Sequence, residues 1–473
     1  MLKVLLIQPP YVQVPGRYNQ SPPVPPLGIA YLAAFAREQL GGRVDVRCLD
    51  AFSQGYSRAR VLEDVRAFAP DVVGWTTVTL TANFVKRAAP EVRRMSPGAV
   101  QIAGGPHPSA LPGDLLPLVD IVARGEGERT FVELLERILD GRDWQDVRGI
   151  SFLDGGERID NPNMPLIENL DTLPFPARDL LPMRLYEHHY PFKARNRNFT
   201  TFFTSRGCPF QCAFCSQHVV WGGGVRYRSL DNTFAEIEHL QRNFDTSFYF
   251  FYDDTFTLKR ERVVDFCNRK IQSGHDFLWS CLTRADCLDE DLIVLMKKSG
   301  CREFQIGIES GSDAVLDSIK KKVRLDTLQK TFKLIKKHGM RTKGFFILGH
   351  LADTKQTMRD TVNTALALDP HWIFFSTLIP LPGSELYEQA QQKGYLKTTD
   401  WDRYNYHGFP IVETENFTSA ELDQIRKEAY RRFYLRPQKL AAYAKDVIAT
   451  GGYRRMWNNF QAFLDLSLTA GGK

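Results

Sequence analysis

Short apolar runs alternate with amphipathic ones along most of this 473-residue chain. Lys3–Gln8, Arg43–Leu49, Asp71–Thr77, Ala99–Gly104 and Asp120–Ala123 read as strands. Leu27–Leu40, Arg58–Phe68, Leu80–Arg93 and Glu128–Leu139 read as the helices between them. This alternation predicts parallel strands with helices on both faces, a doubly wound α/β domain over residues 1–150. In such sheets a ligand lies outside the carboxyl ends of the strands. Those ends carry Pro10, Thr76, Thr77, Gly104, Gly105, Gly125 and Glu126. The glycines let backbone approach a large ligand closely.

Asn161 to Pro191 is rich in proline and acidic residues, which predicts a wrapped linker over residues 151–195. A second β/α series starts at Phe199. Its strands are Phe199–Ser205, Ser247–Tyr252, Leu278–Thr283, Glu303–Ile308, Thr342–Leu348 and Trp372–Leu378. Helices such as Asp231–Phe244, Lys259–Ile271 and Thr354–Leu368 fall between them. Six such units are too few for a full eight-fold barrel and predict a partial (β/α)6 barrel over residues 196–400. Residues of distinctive chemistry recur at its strand ends: Arg206-Gly-Cys208, Asp253-Asp254, Arg284-Ala-Asp286, Glu309-Ser310 and Gly349-His350. Residues 401–473 read as a short helical region.

Composition excludes several classes. A chain with 43% hydrophobic and 25% charged residues is not disordered. No apolar run approaches the roughly 20 residues of a membrane helix. Met1 to Pro10 is too short an apolar stretch for a secretory signal, so the cytoplasm is expected. A net charge of +6 is too weak to argue for nucleic acid. Eight cysteines in such a chain suggest free thiols rather than disulfides, with metal chemistry where they cluster.

They cluster once, in Cys208-Pro-Phe-Gln-Cys212-Ala-Phe-Cys215. A structural zinc site wants four ligands, so a zinc knuckle here must borrow one, such as His218. Three cysteines instead leave one corner of a cubane [4Fe-4S] cluster open. An open iron accepts an amino acid chelate such as S-adenosylmethionine. This C-x3-C-x-aromatic-C run resembles the signature of the radical S-adenosylmethionine (SAM) superfamily. The resemblance implies that Phe214 flanks the SAM adenine. It implies further SAM-binding residues at Asp253 and Asp254 in Tyr252-Asp-Asp254, at Arg284, at Glu309 and Ser310, and at Gly349 of Gly344-Phe-Phe-Ile-Leu-Gly349. Asp253 and Asp254 also suit a plain helix cap. Relatives often continue Gly-x-Pro after that last glycine, whereas this chain reads Gly349-His-Leu.

The N-terminal stretches Pro25-Pro-Leu-Gly-Ile-Ala-Tyr-Leu32, Gly104-Gly-Pro-His107 and Arg124-Gly-Glu-Gly-Glu128 resemble the cobalamin-binding domain of one subclass of that superfamily. None of the ten histidines fits D-x-H-x-x-G, so the resemblance implies cobalamin bound without a protein histidine. The alternative is a doubly wound domain that binds a nucleotide or nothing. For the whole chain the resemblance implies radical methyl transfer to an unactivated carbon. A flavodoxin or ferredoxin is the expected electron donor, and no nucleic acid is a partner. A cobalamin-dependent oxidoreductase or cyclase is the second reading, and a non-catalytic sensor the third. Glu421 to Lys473 holds ten Lys and Arg against five Asp and Glu, interleaved with Phe433, Tyr434, Tyr443, Tyr453, Trp457, Phe460 and Phe463. Such a tail suits either peripheral contact with an anionic membrane or a packed terminal subdomain. Membrane contact makes a lipid-like substrate attractive. A hopanoid is the leading expectation, with a tetrapyrrole or natural product behind it.

Overall fold

A computed structural model describes residues 1–10, 23–187, 195–196, 198–406 and 408–450. The first sheet is built on β1 (Leu2–Gln8), which pairs in parallel with β2 (Val44–Asp50) and β3 (Val72–Thr76). β4 (Val100–Gly104) and β5 (Ile121–Ala123) follow in parallel. Its helices are α1 (Leu27–Leu40), α2 (Arg58–Phe68), α3 (Ala82–Met95), the short α4 (Pro106–Ala110) and α5 (Glu128–Leu139). Val4 and Leu6 pack with Ile29 and Ala33 of α1 and Leu134 of α5. Leu5 and Ile7 pack on the opposite face with Val65 of α2 and Val85 of α3. Both faces are covered, which is why β1 is apolar at consecutive positions. The order β2-β1-β3-β4-β5 reverses between β1 and β3, so the ligand crevice opens there.

The expected start of the linker at residue 151 is corrected. β6 (Ile150–Asp154) pairs antiparallel with β5, and β7 (Glu157–Asp160) completes a hairpin on the same sheet. Gly155 and Gly156 both have positive φ, 56° and 90°, as a two-residue hairpin turn requires. Ile150 and Phe152 are buried in the first core, and the charged β7 protects the edge.

The chain beyond the hairpin does wrap. Ile167, Leu170 and Leu173 cover Leu27 and Tyr31 of α1. Ala177, Leu181 and Tyr186 lie between the first core and Phe199, Phe248 and Phe250 of the barrel. Arg178 is fully buried there. It donates to the Thr200 hydroxyl at 3.2 Å, to the Thr201 carbonyl at 3.1 Å and to Glu236 at 2.5 Å. Arg228 pairs with the same carboxylate at 2.5 Å. Burial alone would raise the Glu236 carboxyl, but Arg228 and Arg178 outweigh it and hold it below its usual range.

The second sheet is open and parallel, in the order β15-β14-β13-β12-β11-β8. β8 (Phe199–Phe202) leads to a small antiparallel pair, β9 (Ser205–Arg206) and β10 (Arg226–Tyr227), around α6 (His218–Trp221). Then come α7 (Leu230–Phe244), β11 (Phe248–Phe251), α8 (Arg260–Ser273), β12 (Leu278–Thr283), α9 (Glu290–Lys298) and β13 (Cys301–Glu309). α10 (Asp313–Ser318), α11 (Leu325–Lys337), β14 (Arg341–Leu348), α12 (Lys355–Leu368), β15 (Trp372–Thr377) and α13 (Glu385–Gln392) finish it. Helix starts are capped by side chains: Ser229 for α7, Asp289 for α9, Thr354 for α12 and Ser384 for α13. Asp253 and Asp254 cap nothing, since Lys259 precedes α8.

α14 (Ser419–Tyr434) closes the free edge of β15. Its Tyr430 hydroxyl receives the Phe375 N–H at 3.0 Å and donates to the Phe375 carbonyl at 3.1 Å. Tyr434 does the same for Ile373, at 3.1 and 3.2 Å. α15 (Pro437–Thr450) follows, with Tyr443 edge-on to Trp372. Phe433 is buried, and Asp369 pairs with both Arg436 and Lys439. Tyr430, Phe433, Tyr434 and Tyr443, with the paired Arg436 and Lys439, thus serve the packing of a terminal subdomain, one of the two expectations for this stretch. Tyr453, Trp457, Phe460 and Phe463 lie outside the described residues. Among the described residues no helix is long and apolar enough to cross a membrane.

Breaking the linker's buried ion cluster leaves guanidinium charge uncompensated. Glu236→Gln is expected to lower stability by about 3 kcal/mol. Asp179→Asn, which breaks the exposed pair with Arg37, should leave the thermal midpoint unchanged. Paired thermal melts check both.

Candidate active site

The cysteine loop starts where β8 and β9 end and is braced from several sides. Asp253, at the end of β11, is fully buried. Its carboxylate accepts the Thr204 N–H at 3.0 Å, the Thr204 hydroxyl at 2.9 Å and the Ser205 hydroxyl at 2.5 Å. Gly207 has φ +90°, and a Cβ there would stand 2.2 Å from the Gly224 carbonyl. The Ala213 N–H donates to the Ile319 carbonyl, and its own carbonyl accepts from the Leu386 N–H, both at 2.9 Å. The Phe210 ring lies 3.7 Å from the Arg284 guanidinium.

Cys208, Cys212 and Cys215 are free and half-buried on this loop. Burial raises the Cys212 thiol against the pull of Lys321 and Arg284, and pushes Cys215 up to about 11. Without metal the two thiols hold their protons, so metal binding must release them. Among the described residues no three His, Cys, Asp or Glu side chains converge on a single metal ion. His218 is exposed at the start of α6. A zinc knuckle would need that exposed side chain to turn inward. One thiolate on each of three irons, with the fourth left open, fits these cysteines.

Several residues expected to face SAM have other tasks. Asp253 braces the loop, as described. Ser310 is fully buried, and its hydroxyl bonds Thr361 at 3.2 Å. Arg284 is paired with Asp286 at 2.8 Å and donates to the Lys321 carbonyl at 2.9 Å. Gly349 has φ +83°, and a Cβ there would lie 2.5 Å from Leu422. The carboxylates and hydroxyls are satisfied inside the protein, because leaving them unpaired at that depth is costly. Asp254 differs. It is exposed, its carboxylate has no bonded partner among the described residues, and it lies near the Cys215 thiol. Desolvation and then Asp253 push the carboxyl up to about 6. Of the two acids it is Asp254 that fits the methionine ammonium.

Lys321 was not legible beforehand. It is buried, and its Nζ lies 2.9 Å from Glu309 and 5.8 Å from the centre of the Phe214 ring. Glu309, Lys320 and Lys322 all have positive φ, of 68°, 55° and 54°. Strain of about 1–3 kcal/mol at each non-glycine residue is concentrated around this one ammonium. In a run of three lysines, only backbone conformation decides which points inward. His350 is also buried, tilted against Phe214 at 6.1 Å, and burial followed by Lys321 pushes it down to about 3. It stays neutral. Asp353 holds this turn, accepting the Gly349 and His350 N–H groups at 3.0 and 2.9 Å.

In the first domain the ends of β3 and β4 are zipped together. The Thr77 N–H donates to the Gly104 carbonyl at 2.7 Å, and a Cβ on Gly105 would meet the Thr77 carbonyl at 2.8 Å. The Thr77 side chain is fully buried, so only Thr76 of the pair remains partly open. Pro10 is the last described residue after β1. The Gly125 N–H is held by the Ser109 hydroxyl at 3.0 Å. Glu126 is corrected as a cobalamin ligand: it is buried and bonded to Arg206, Arg226 and the Ile167 N–H. His107 is buried against Asp114 at 2.9 Å and Thr79 at 3.3 Å, so the histidine of this edge is not offered to a ligand. A glycine-edged crevice without a free histidine fits cobalamin held without one.

The B12 binding domain family matches residues 21–135, and the Radical SAM superfamily matches residues 202–365. The methyltransferase PH0819 of Pyrococcus horikoshii, itself uncharacterised, is 33% identical over 456 residues, 96% of each chain. This chain belongs to the cobalamin-dependent radical SAM methyltransferases. A [4Fe-4S] cluster, SAM and cobalamin are its cofactors. The anaerobic magnesium-protoporphyrin IX monomethyl ester cyclase of Rubrivivax gelatinosus is 29% identical, over 92% of this chain and 78% of its own. The fold is shared with OxsB, a cobalamin-dependent SAM radical enzyme, at a TM-score of 0.72 and 15% identity, covering 98% of this chain and 72% of OxsB.

Cys208→Ala, Cys212→Ala or Cys215→Ala in this radical SAM enzyme should each abolish the cluster of about four irons per chain. Iron analysis after anaerobic reconstitution checks this. The Asp353 carboxyl is buried and pushed up to about 6 from 3.8. Its contribution to stability is full below about pH 4 and is lost as pH rises through about 6. Asp353→Asn should therefore gain on the wild type between pH 4 and 7, by up to about 3 kcal/mol. Melts of the ligand-free proteins across that range read the difference.

Proposed function

We propose that the enzyme transfers a methyl group to an unactivated carbon of a hydrophobic, ring-bearing small molecule, with a hopanoid tested first and a tetrapyrrole second. The observation that carries this reading is a set of exposed aromatic rings in the barrel half of the chain, one of them beside the cluster loop. Tyr252 and Tyr406 are 39% and 40% exposed in a chain that buries most of its aromatics. Cys215 is a neighbour of Tyr406. Phe203 stands edge-on to Tyr252 at 6.2 Å. Flat aromatic faces suit a rigid ring system.

When bound, the cofactors supply the radical that activates carbon and the methyl group to be transferred. The chain's own residues bind and orient. Asp254 would accept from the ammonium of SAM and Phe214 would flank the adenine, with the Lys321 ammonium 5.8 Å from that ring. Tyr252, Phe203 and Tyr406 hold the substrate and keep water out. No side chain need act as a base, because the activated carbon is not acidic. A flavodoxin or ferredoxin supplies the electron.

The test compares lipid and pigment extracts of cells with and without the chain, then repeats the reaction with purified enzyme. Expected is a product with one added methyl, formed with both S-adenosylhomocysteine and 5′-deoxyadenosine. A new ring without an added methyl, as the similarity to the cyclase of Rubrivivax gelatinosus would favour, overturns the proposal.

A further inference from the structure

The two cofactor domains meet through charge buried away from water. Arg206 donates to Glu126 at 2.9 Å and to Glu128 at 2.6 Å, both in the other domain. Arg226 donates to both oxygens of Glu126, at 2.9 and 2.8 Å, and to the Ile167 carbonyl at 2.7 Å. All four charged side chains are less than a tenth exposed. The rings of Tyr31 and Trp221 flank the Arg206 guanidinium at 5.1 and 4.9 Å. Burial alone would raise the Glu126 carboxyl, but Arg226 and Arg206 hold it below its usual range.

Position gives this network a further meaning. Glu126 lies in the turn between β5 and α5 and Glu128 opens α5, on the carboxyl edge where a doubly wound sheet takes its ligand. Arg206 stands two residues before Cys208, and the intervening Gly207 has no room to adjust. Displacement of the β5–α5 turn is therefore passed through Arg206 and one tightly fitted peptide unit to a cluster ligand. An apolar seam would hold two domains together equally well. A fork that grips two carboxylates fixes their positions as well.

We infer that Arg206 is a positioning residue that couples the two cofactor sites, so that cobalamin in the first domain tightens the cluster and SAM in the barrel. Such coupling is reciprocal. It is independent of the substrate, so it stands or falls separately from the methyl-transfer reading.

The experiment uses full-length enzyme with a reconstituted cluster, with and without hydroxocobalamin. Iron loss to a chelator and SAM affinity by anaerobic calorimetry are the readouts. In the wild type, cobalamin is expected to slow iron loss and tighten SAM by about tenfold. In Arg206→Lys, which loses the fork, both ratios should fall close to one. A merely structural arginine would instead leave the ratios intact while iron loss rises equally in both forms. Arg87→Gln, which breaks the exposed interdomain pair with Asp402, should keep the ratios. If Arg206→Lys fails to hold a cluster, Glu128→Gln is read in the same way. Equal values with and without cobalamin in the wild type, or unchanged ratios in the seam variants, overturn the proposal.

Discussion

Arg206 commits its guanidinium to Glu126 and Glu128 of the neighbouring domain, and the cysteine loop begins two residues later. Much of the molecule is arranged around that grip. The wrapped linker lends it the Ile167 backbone on one side, while Arg226 of the small β9–β10 ribbon reaches it from the other. Charges this deep cost desolvation that their attraction only partly offsets. What they contribute is geometry. Two sheets whose strand ends bind different cofactors are held in one orientation.

The same pattern of polar groups used as braces recurs at the strand ends. Asp253 ties Thr204 and Ser205 under the cysteine loop, Asp353 holds the turn at Gly349, and Asp114 gathers Lys86, His107 and Trp401 where the C-terminal segment meets the first domain. Burial raises the carboxyls of Asp253 and Asp353, while at Asp114 hydrogen bonds from His107 and Lys86 outweigh burial and keep its carboxyl below its usual range. Asp254 has no such brace among the described residues.

The regular elements were largely legible. Leu27–Leu40, Arg58–Phe68 and Glu128–Leu139 form helices over the expected residues, because apolar spacing and turn residues agree locally. The β6–β7 hairpin was missed although Gly155-Gly156 is a turn signal, because it adjoins a proline-rich stretch that reads as linker. Site residues divided more unevenly. The clustering of the three cysteines on one loop was plain from spacing alone. The tasks of Glu126, Thr77, Asp253 and Ser310 were not, since their partners lie in other elements. Lys321 was hidden in a run that reads as solvated surface.

By itself the sequence determined two β/α series, the triad Cys208, Cys212 and Cys215, and the strand ends at which chemistry must collect. Those properties are local: periodicity, turn residues and ligand spacing act over a few positions. Only the tertiary structure decided which of two adjacent aspartates is bonded within the protein, which of three lysines turns inward, and that α14 covers the edge of β15. Each of these depends on whether a buried polar group finds a partner distant in sequence, and the cost of leaving it without one selects the arrangement.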